Sequence, residues 1–162
     1  MIILQLVLFC LLFTLLVRCS VIGGAVNALY FYPRSYQEKA YRRGIAKAED
    51  VQKKRKRFMG PFIVIMALAL IFIVAIWNDT ADFKSAYLQT LLFLEVMNWY
   101  DGIVIDRLWV GHSSFWIIHG MEGEPFVQSW KQVLKKRSIL TLIFIALAVI
   151  GAELIVLISR VF

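Results

Sequence analysis

Three ionisable side chains interrupt long apolar stretches of the sequence: Arg18, Glu95 and Glu153. A charge at the centre of a membrane costs about 3 kcal/mol or more, so such residues pair with one another or have a function. At about 1.5 Å per helical residue, Glu95 and Glu153 each lie about 13 Å from the outer ends of their predicted helices. Arg18 lies about 21 Å from the inner end of its predicted helix at Tyr32, which brings it to the same outer half of the membrane. We therefore predict an intramembrane polar cluster of four residues at similar depth: Arg18, Glu95, Asn98 and Glu153.

This predicted cluster has three interpretations. In the first, Arg18 forms an interhelical ion pair that fixes the packing of the helices. In the second, Arg18 neutralises one glutamate and leaves the other free to bind and release a proton or an ion. The glutamates could instead face water or a partner subunit, so the residue types alone do not choose among these roles.

A second pattern runs along one face of the third apolar stretch. Polar or small side chains recur there at intervals of three, four and four residues: Glu95, Asn98, Gly102 and Asp106. This face must point into the protein, where Gly102 would allow a neighbouring helix or a ligand to approach closely. On a regular helix Asp101 is turned away from this face, so we expect a separate cationic partner for it, either Arg107 or a base from a cytoplasmic segment.

The third stretch and the residues after it also contain acid–base side chains. Four of them are candidate catalytic residues: Asp101, Asp106, His112 and His119. His112, His119 and Glu122 are weak candidate metal ligands, because the two histidines would lie about 10 Å apart on one helix. No zinc, nucleotide-binding or nucleophile motif accompanies them. We therefore predict no metal and no cofactor.

The composition indicates that a membrane protein positions these residues. The chain of 162 residues is 60% hydrophobic and 18% charged, whereas soluble domains are about 45–50% apolar. The apolar residues concentrate in four stretches that suit membrane spans: residues 2–32, 61–77, 86–110 and 138–158. We predict one all-α domain over residues 1–162, a bundle of four transmembrane helices with amphipathic interfacial segments on the cytoplasmic side.

The basic residues predict the orientation of this bundle. Ten of the 18 Lys and Arg residues lie between positions 34 and 57, and four more lie between 131 and 137. The positive-inside rule places the segments 33–60 and 111–137 in the cytoplasm and both termini outside. We expect anionic lipid head groups, and not nucleic acid, as the partners of the basic residues: Lys53, Lys54, Arg55, Lys56, Arg57, Lys135, Lys136 and Arg137.

The sequence leaves three functions open. The favoured hypothesis is a non-enzymatic accessory subunit or a component of a transport assembly, in a homo- or hetero-oligomer, because four helices hardly enclose a path alone. The second is a lipid-modifying or lipid-binding membrane enzyme with an interfacial Asp/His site. The third is a proton-coupled transporter or channel subunit centred on Glu95, Glu153 and Arg18. The expected location is a bacterial cytoplasmic membrane.

Overall fold

The structure is a computed structural model that describes residues 1–160. Within these residues the chain forms helices and contains no β-strand. The α-helices longer than two turns are α1 (Ile2–Ser20), α2 (Arg34–Arg42), α3 (Ala48–Ile71), α4 (Phe83–Tyr100) and α5 (Trp130–Ser159). Helices α3 and α4 continue as π-helices, Phe72–Trp77 and Asp101–Trp109, the second followed by one α-helical turn, Val110–His112. Two 3₁₀-helical segments, Ala25–Phe31 and Ser114–Trp116, lie in the connections.

Three of the helices are long and apolar enough to cross a membrane: Ile2–Ser20, Ala48–Trp77 and Trp130–Ser159. This confirms the prediction of an all-helical protein, and the length and composition of these helices support its association with a membrane. Helix α4 is not among the three, because polar side chains such as Gln89, Glu95 and Asn98 offset its leucines and phenylalanines.

Side-chain contacts define two ends of the helical bundle. At one end Gln5 Nε2 donates to Asn78 Oδ1 at 2.5 Å, and Ser159 Oγ donates to the Thr80 carbonyl at 2.9 Å. We call this the amide end. The opposite end contains the basic runs of α3 (residues 53–57) and α5 (residues 131–137), and we call it the charged end. Helices α1 and α4 therefore run from the amide end to the charged end, and α3 and α5 run back.

The first apolar helix is shorter than predicted. The expected span over residues 2–32 ends at Ser20, because the chain turns at Gly23 and Gly24, whose φ angles are 84° and 118°. An α-helix cannot continue through such a conformation, which glycine adopts without strain. Ala25–Phe31 then forms a separate 3₁₀ segment that packs against α3.

The second and fourth apolar helices begin earlier than predicted. The span expected at 61–77 belongs to a helix that starts at Ala48, with Pro61 in its interior. Lys, Arg, Gln and Glu are good helix formers, so the basic run extends the helix instead of forming a loop. The span expected at 138–158 starts at Trp130, where the Ser129 and Gln132 side chains form a reciprocal cap.

The segment that follows the π-helix folds back over the charged end. Tyr32 donates its hydroxyl to the Trp116 carbonyl at 2.6 Å, and its ring packs on Tyr36 and Phe126. On the surface, Lys39 of α2 and Arg43, the residue after α2, both pair with Glu124. These contacts hold residues 113–129 against the bundle and form one wall of the site described next.

Candidate functional site

A buried arginine organises the charged end. The Arg137 side chain is only 2% exposed, and its two terminal nitrogens bind two different carboxylates. Nη1 lies 2.7 Å from Asp101 Oδ2, and Nη2 lies 2.6 Å from Asp106 Oδ2. A charge this far from water requires close ionic partners, so the three side chains act as one unit.

The π-helix explains how two aspartates five residues apart reach the same arginine. In an α-helix Asp101 and Asp106 would point in different directions. In the π-helix, hydrogen bonds join residues five apart, as where the Val110 N–H donates to the Ile105 carbonyl. This winding brings both carboxylates to one side. Of the two kinds of partner expected for Asp101, the structure shows a base from the predicted cytoplasmic segment 111–137, which is Arg137. Arg107 instead donates to the Gln128 carbonyl at 2.6 Å.

Gly102 provides the space for the arginine. A Cβ atom at this position would lie 2.8 Å from Arg137 Nε, closer than real Cβ contacts. Asn98, one turn earlier, donates to the Arg137 carbonyl at 3.1 Å. The predicted face of Asn98, Gly102 and Asp106 thus packs on one residue of α5.

A cavity of about 200 Å³ adjoins the ion pairs. Its apolar walls come from α1, α3 and the folded-back segment, and include Phe13, Val17, Met59, Phe62, Trp116 and Phe126. Its polar lining includes Asp101, Asp106, Gln128 and Lys136. Apolar walls with a few grouped polar side chains are the usual composition of a binding site for a small molecule.

Two atoms beside this cavity lack hydrogen-bond partners among residues 1–160. Trp116 lines the cavity and is 2% exposed, yet its indole Nε1–H donates to nothing there. Arg137 Nε is likewise buried without a partner. Buried polar groups are nearly always satisfied in proteins, so each of these atoms needs an explanation.

The predicted intramembrane cluster is divided by the structure. Arg18 lies two residues from the end of α1, because the helix stops at Ser20, and its guanidinium stacks on Phe115 at 4.2 Å from the ring centroid. Glu95 accepts a hydrogen bond from Thr141 at 2.7 Å, and Asn98 donates to the same hydroxyl at 3.3 Å.

Glu153 is exposed on α5 and lies apart from these residues. It follows Thr141 by twelve residues, which is about 18 Å along the helix. The assumption of equal depth is wrong for Arg18, because α1 ends at Ser20. It is also wrong for Glu153, which lies six residues before the end of α5, whereas Glu95 lies twelve residues after the start of α4. Only Glu95 and Asn98 of the four share a contact.

The two histidines lie outside the cavity. Nδ1 of His112 faces the carbonyls of Arg107 and Leu108 at 3.2 and 3.1 Å. His119 is exposed and its Nδ1 lies 3.1 Å from Glu122 Oε1. No group of three or more His, Cys, Asp or Glu side chains within residues 1–160 is arranged to hold a metal ion.

The basic residues assigned to head groups divide into two kinds. Lys53, Lys54, Arg55, Lys56, Arg57, Lys135 and Lys136 are exposed; among them Lys54 donates to Asn27 at 2.7 Å and Lys136 lies 3.5 Å from Asp106. The prediction that Arg137 binds a lipid head group is wrong, because its side chain is buried in the ion pairs and cannot reach a lipid surface.

Sequence reasoning missed the role of Arg137, although a signal was present. Thr141, Ala148 and Ala152 follow Arg137 at four, eleven and fifteen residues, which places small or polar residues on one face of α5. The structure buries Ala148 and Ala152 completely, and α4 makes its most extensive packing with α5. This periodicity would have predicted that Arg137 faces α4 and its aspartates.

A second polar network, also unforeseen, joins the helices at the amide end. Gln5 is 1% exposed and exchanges hydrogen bonds with Asn78, which in turn donates to Gln89 at 2.7 Å. Gln89 donates to the Thr80 hydroxyl at 2.9 Å. All of these side chains are neutral, and none has a buried atom that lacks a partner.

Comparisons with protein-family models, curated proteins and solved structures found no match for the chain. The class of protein supported by the fold is an all-helical protein with three helices that could span a membrane.

Proposed function

We propose that this chain is a four-span membrane protein that binds a membrane lipid in the cavity at the charged end. The observation that carries the proposal is the cavity itself, about 200 Å³ in volume, with apolar walls and two carboxylates at one side. A lipid offers the matching combination of an apolar chain and a polar head group.

Helix α4 with its continuation is the fourth span of this proposal. Its first part contacts the amide end through Gln89, and its last part contacts Arg137 through Asp106. It therefore extends alongside the three apolar helices over most of their length. Glu95, Asn98 and Asp106 contact α5, and Gln89 contacts the amide end, so these polar groups do not face lipid.

The charged end is the cytoplasmic end in this proposal. The basic runs at residues 53–57 and 131–137 both lie there, which by the positive-inside rule places both termini outside a bacterial cytoplasmic membrane. Single cysteines at Lys47 and Ala81, both exposed, test this in a background without Cys10 and Cys19. A membrane-impermeant maleimide added to intact cells should label Ala81→Cys and not Lys47→Cys; the reverse result would invert the topology.

Binding without catalysis is the role that the positions favour. His112 and His119 do not line the cavity, so the expected Asp/His constellation for lipid chemistry is incomplete there. The cavity aspartates each bind Arg137 through one oxygen, which leaves the other oxygen of each for a ligand.

Lipid retention tests the proposed function. Native mass spectrometry of the detergent-purified protein should show a bound lipid that Met59→Trp removes, because the larger side chain fills the cavity beside Phe62. The matched control is Ile150→Trp, which makes a similar change on the exposed surface of α5. Equal lipid retention by the wild-type protein and Met59→Trp would reject the cavity as the binding site.

A further inference from the structure

The free oxygens of the two cavity aspartates point to a cationic ligand group. Asp101 and Asp106 each use Oδ2 for Arg137 and retain about a quarter to a fifth of their side-chain exposure, 24% and 21%. Neither Oδ1 accepts a hydrogen bond from any residue within 1–160. The two carboxylates face the buried Arg137 and the half-exposed Lys136, whose ammonium lies 3.5 Å from Asp106 Oδ2. A ligand ammonium at the Oδ1 atoms would therefore release Lys136 to pair with an anionic group of the same ligand.

A primary ammonium group is the best complement to these two oxygens. It carries three N–H donors on a small point charge, so it can bond to both Oδ1 atoms at once. Charge-assisted hydrogen bonds of this kind are about twice as strong as neutral ones. A quaternary ammonium has no N–H donor and could contact the carboxylates only through its methyl groups.

Lys136 and Trp116 supply the opposite kind of group at the same cavity. The Lys136 side chain lines the cavity and is 45% exposed, and its ammonium lies 3.5 Å from Asp106, so it can also pair with an anionic group of a ligand. The indole N–H of Trp116 is a buried donor without a partner. The lining therefore offers two acceptors and two donors, which suits a ligand that has both a cationic and an anionic or ester group.

The depth of the cavity favours a lipid over a soluble amine. Met59 and Phe62 follow the last residue of the basic run, Arg57, by two and five residues, which is about 3 and 8 Å along α3. The cavity therefore lies where the helix changes from basic to apolar. In a bilayer, the head group and the first carbons of the acyl chains occupy that level.

We infer that the bound lipid is an aminophospholipid, whose primary ammonium lies between Asp101 and Asp106 and whose phosphate pairs with Lys136. This inference rests on the proposed function and specifies its ligand. The acyl chain lies against the apolar walls, and an ester carbonyl accepts from the Trp116 indole.

Head-group methylation tests the inference on the wild-type protein. The purified protein is exchanged into vesicles of phospholipids with identical acyl chains and either an ethanolamine, N-methyl, N,N-dimethyl or choline head group. Native mass spectrometry should show retention falling along this series as N–H donors are removed, by about tenfold between the two ends. Glycerophosphoethanolamine, which lacks acyl chains, should not displace the lipid.

Variants assign the preference to individual groups. Asp101→Asn and Asp106→Asn should abolish the preference, whereas the control Glu153→Gln alters an exposed carboxylate on α5 and should keep it. Lys136→Gln should lower retention of both the ethanolamine and the choline lipid and leave their ratio unchanged. Because Lys136 is half-exposed, this variant remains informative if an aspartate variant fails to fold.

The possible results separate the two proposals. Lipid that is lost in Met59→Trp but shows no dependence on head-group methylation would overturn the aminophospholipid and keep lipid binding. Lipid retention that Met59→Trp does not change would overturn both. Displacement by glycerophosphoethanolamine would identify a soluble amine phosphate as the ligand and overturn the lipid assignment.

Discussion

The two ends of the bundle contain buried polar networks that differ in charge and in completeness. At the amide end, Gln5, Asn78 and Gln89 bond to one another, and none of their atoms is buried without a partner. At the charged end, Arg137 and two aspartates form ion pairs, but Arg137 Nε and the Trp116 indole are left without partners within the described chain. The first network is complete by itself, whereas the second borders a cavity.

This difference separates a structural role from a binding role. Neutral amides satisfy one another at modest cost, so such a network can hold helix ends together without a ligand. Buried charges cost several kcal/mol in desolvation, and packed apolar side chains would often be as stable. The proposed lipid ligand would account for retaining these charges next to a cavity.

Removing the buried cation should have the largest effect. Arg137→Met leaves Asp101 and Asp106 without their partner, and breaking a buried ion pair costs about 3–5 kcal/mol. Thermal unfolding in detergent should show a large loss of stability relative to Lys135→Met, which removes an exposed charge from the same helix. Equal melting temperatures for these two variants would show that the ion pairs do not stabilise the fold.

Adding one methyl group beside the arginine should have the next largest effect. Gly102→Ala places a Cβ 2.8 Å from Arg137 Nε, and such overpacking costs about 1–3 kcal/mol. Gly60→Ala is the matched control, because its Cβ would meet no atom within 4 Å in a helical position. We expect that control to be neutral or stabilising, by up to about 1 kcal/mol. A stable Gly102→Ala protein would contradict the close approach of Arg137.

Disrupting the neutral network should cost less than breaking the ion pairs. Asn78→Ala leaves the buried Gln5 amide unsatisfied, which costs about 1–3 kcal/mol. A double-mutant cycle with Gln5→Ala in chemical unfolding should reveal a coupling energy between the two side chains. Lipid retention should stay at the wild-type level in both variants. Loss of lipid there would remove the functional distinction between the two ends.

The smallest effect should be a pH-dependent loosening of the folded-back segment. The Lys39 ammonium, with Arg43, lowers the pKa of the Glu124 carboxyl below its usual range. A lowered pKa in the folded state means that the stabilisation is present above the carboxyl's ordinary pKa and is lost as pH falls through the lowered one. Amide exchange of residues 113–129 should therefore increase, after correction for intrinsic rates, below about pH 4.

The control for this pH effect is Glu124→Gln. Its folded-back segment should already exchange at the faster rate at neutral pH, with no further loosening on acidification from this group. An unchanged pH response in Glu124→Gln would assign the effect to other carboxyls.

The helical class of the protein was predictable, but the helix ends were not. Apolar stretches around residues 2–20, 61–77 and 138–158 are long enough to indicate membrane-spanning helices whatever the rest of the chain does. The ends depended on local features with competing effects. The turn at Gly23 and Gly24 ends α1. The basic run before Pro61 favours helix, so α3 begins at Ala48 and not at Pro61.

These helix ends decided which polar residues could meet. The predicted depth of Arg18 was counted from Tyr32, and the turn after Ser20 moves it to the end of its helix, onto Phe115. The grouping of Asp101 with Asp106 required a π-helix, whose winding depends on hydrogen bonds that no residue pattern in the sequence specifies. The face of Asn98, Gly102 and Asp106 was readable from spacing alone, because it follows the regular period of an α-helix.

The sequence by itself determined that this is a helical protein for an apolar environment, with its basic residues collected near the starts of two helices. These properties follow from composition and local periodicity, which act residue by residue. Only the tertiary structure decided that Arg137 lies between Asp101 and Asp106 and that a cavity adjoins them. That arrangement depends on how α4 and α5 are rotated against each other and on a folded-back segment closing one wall, and both result from packing over long distances along the chain.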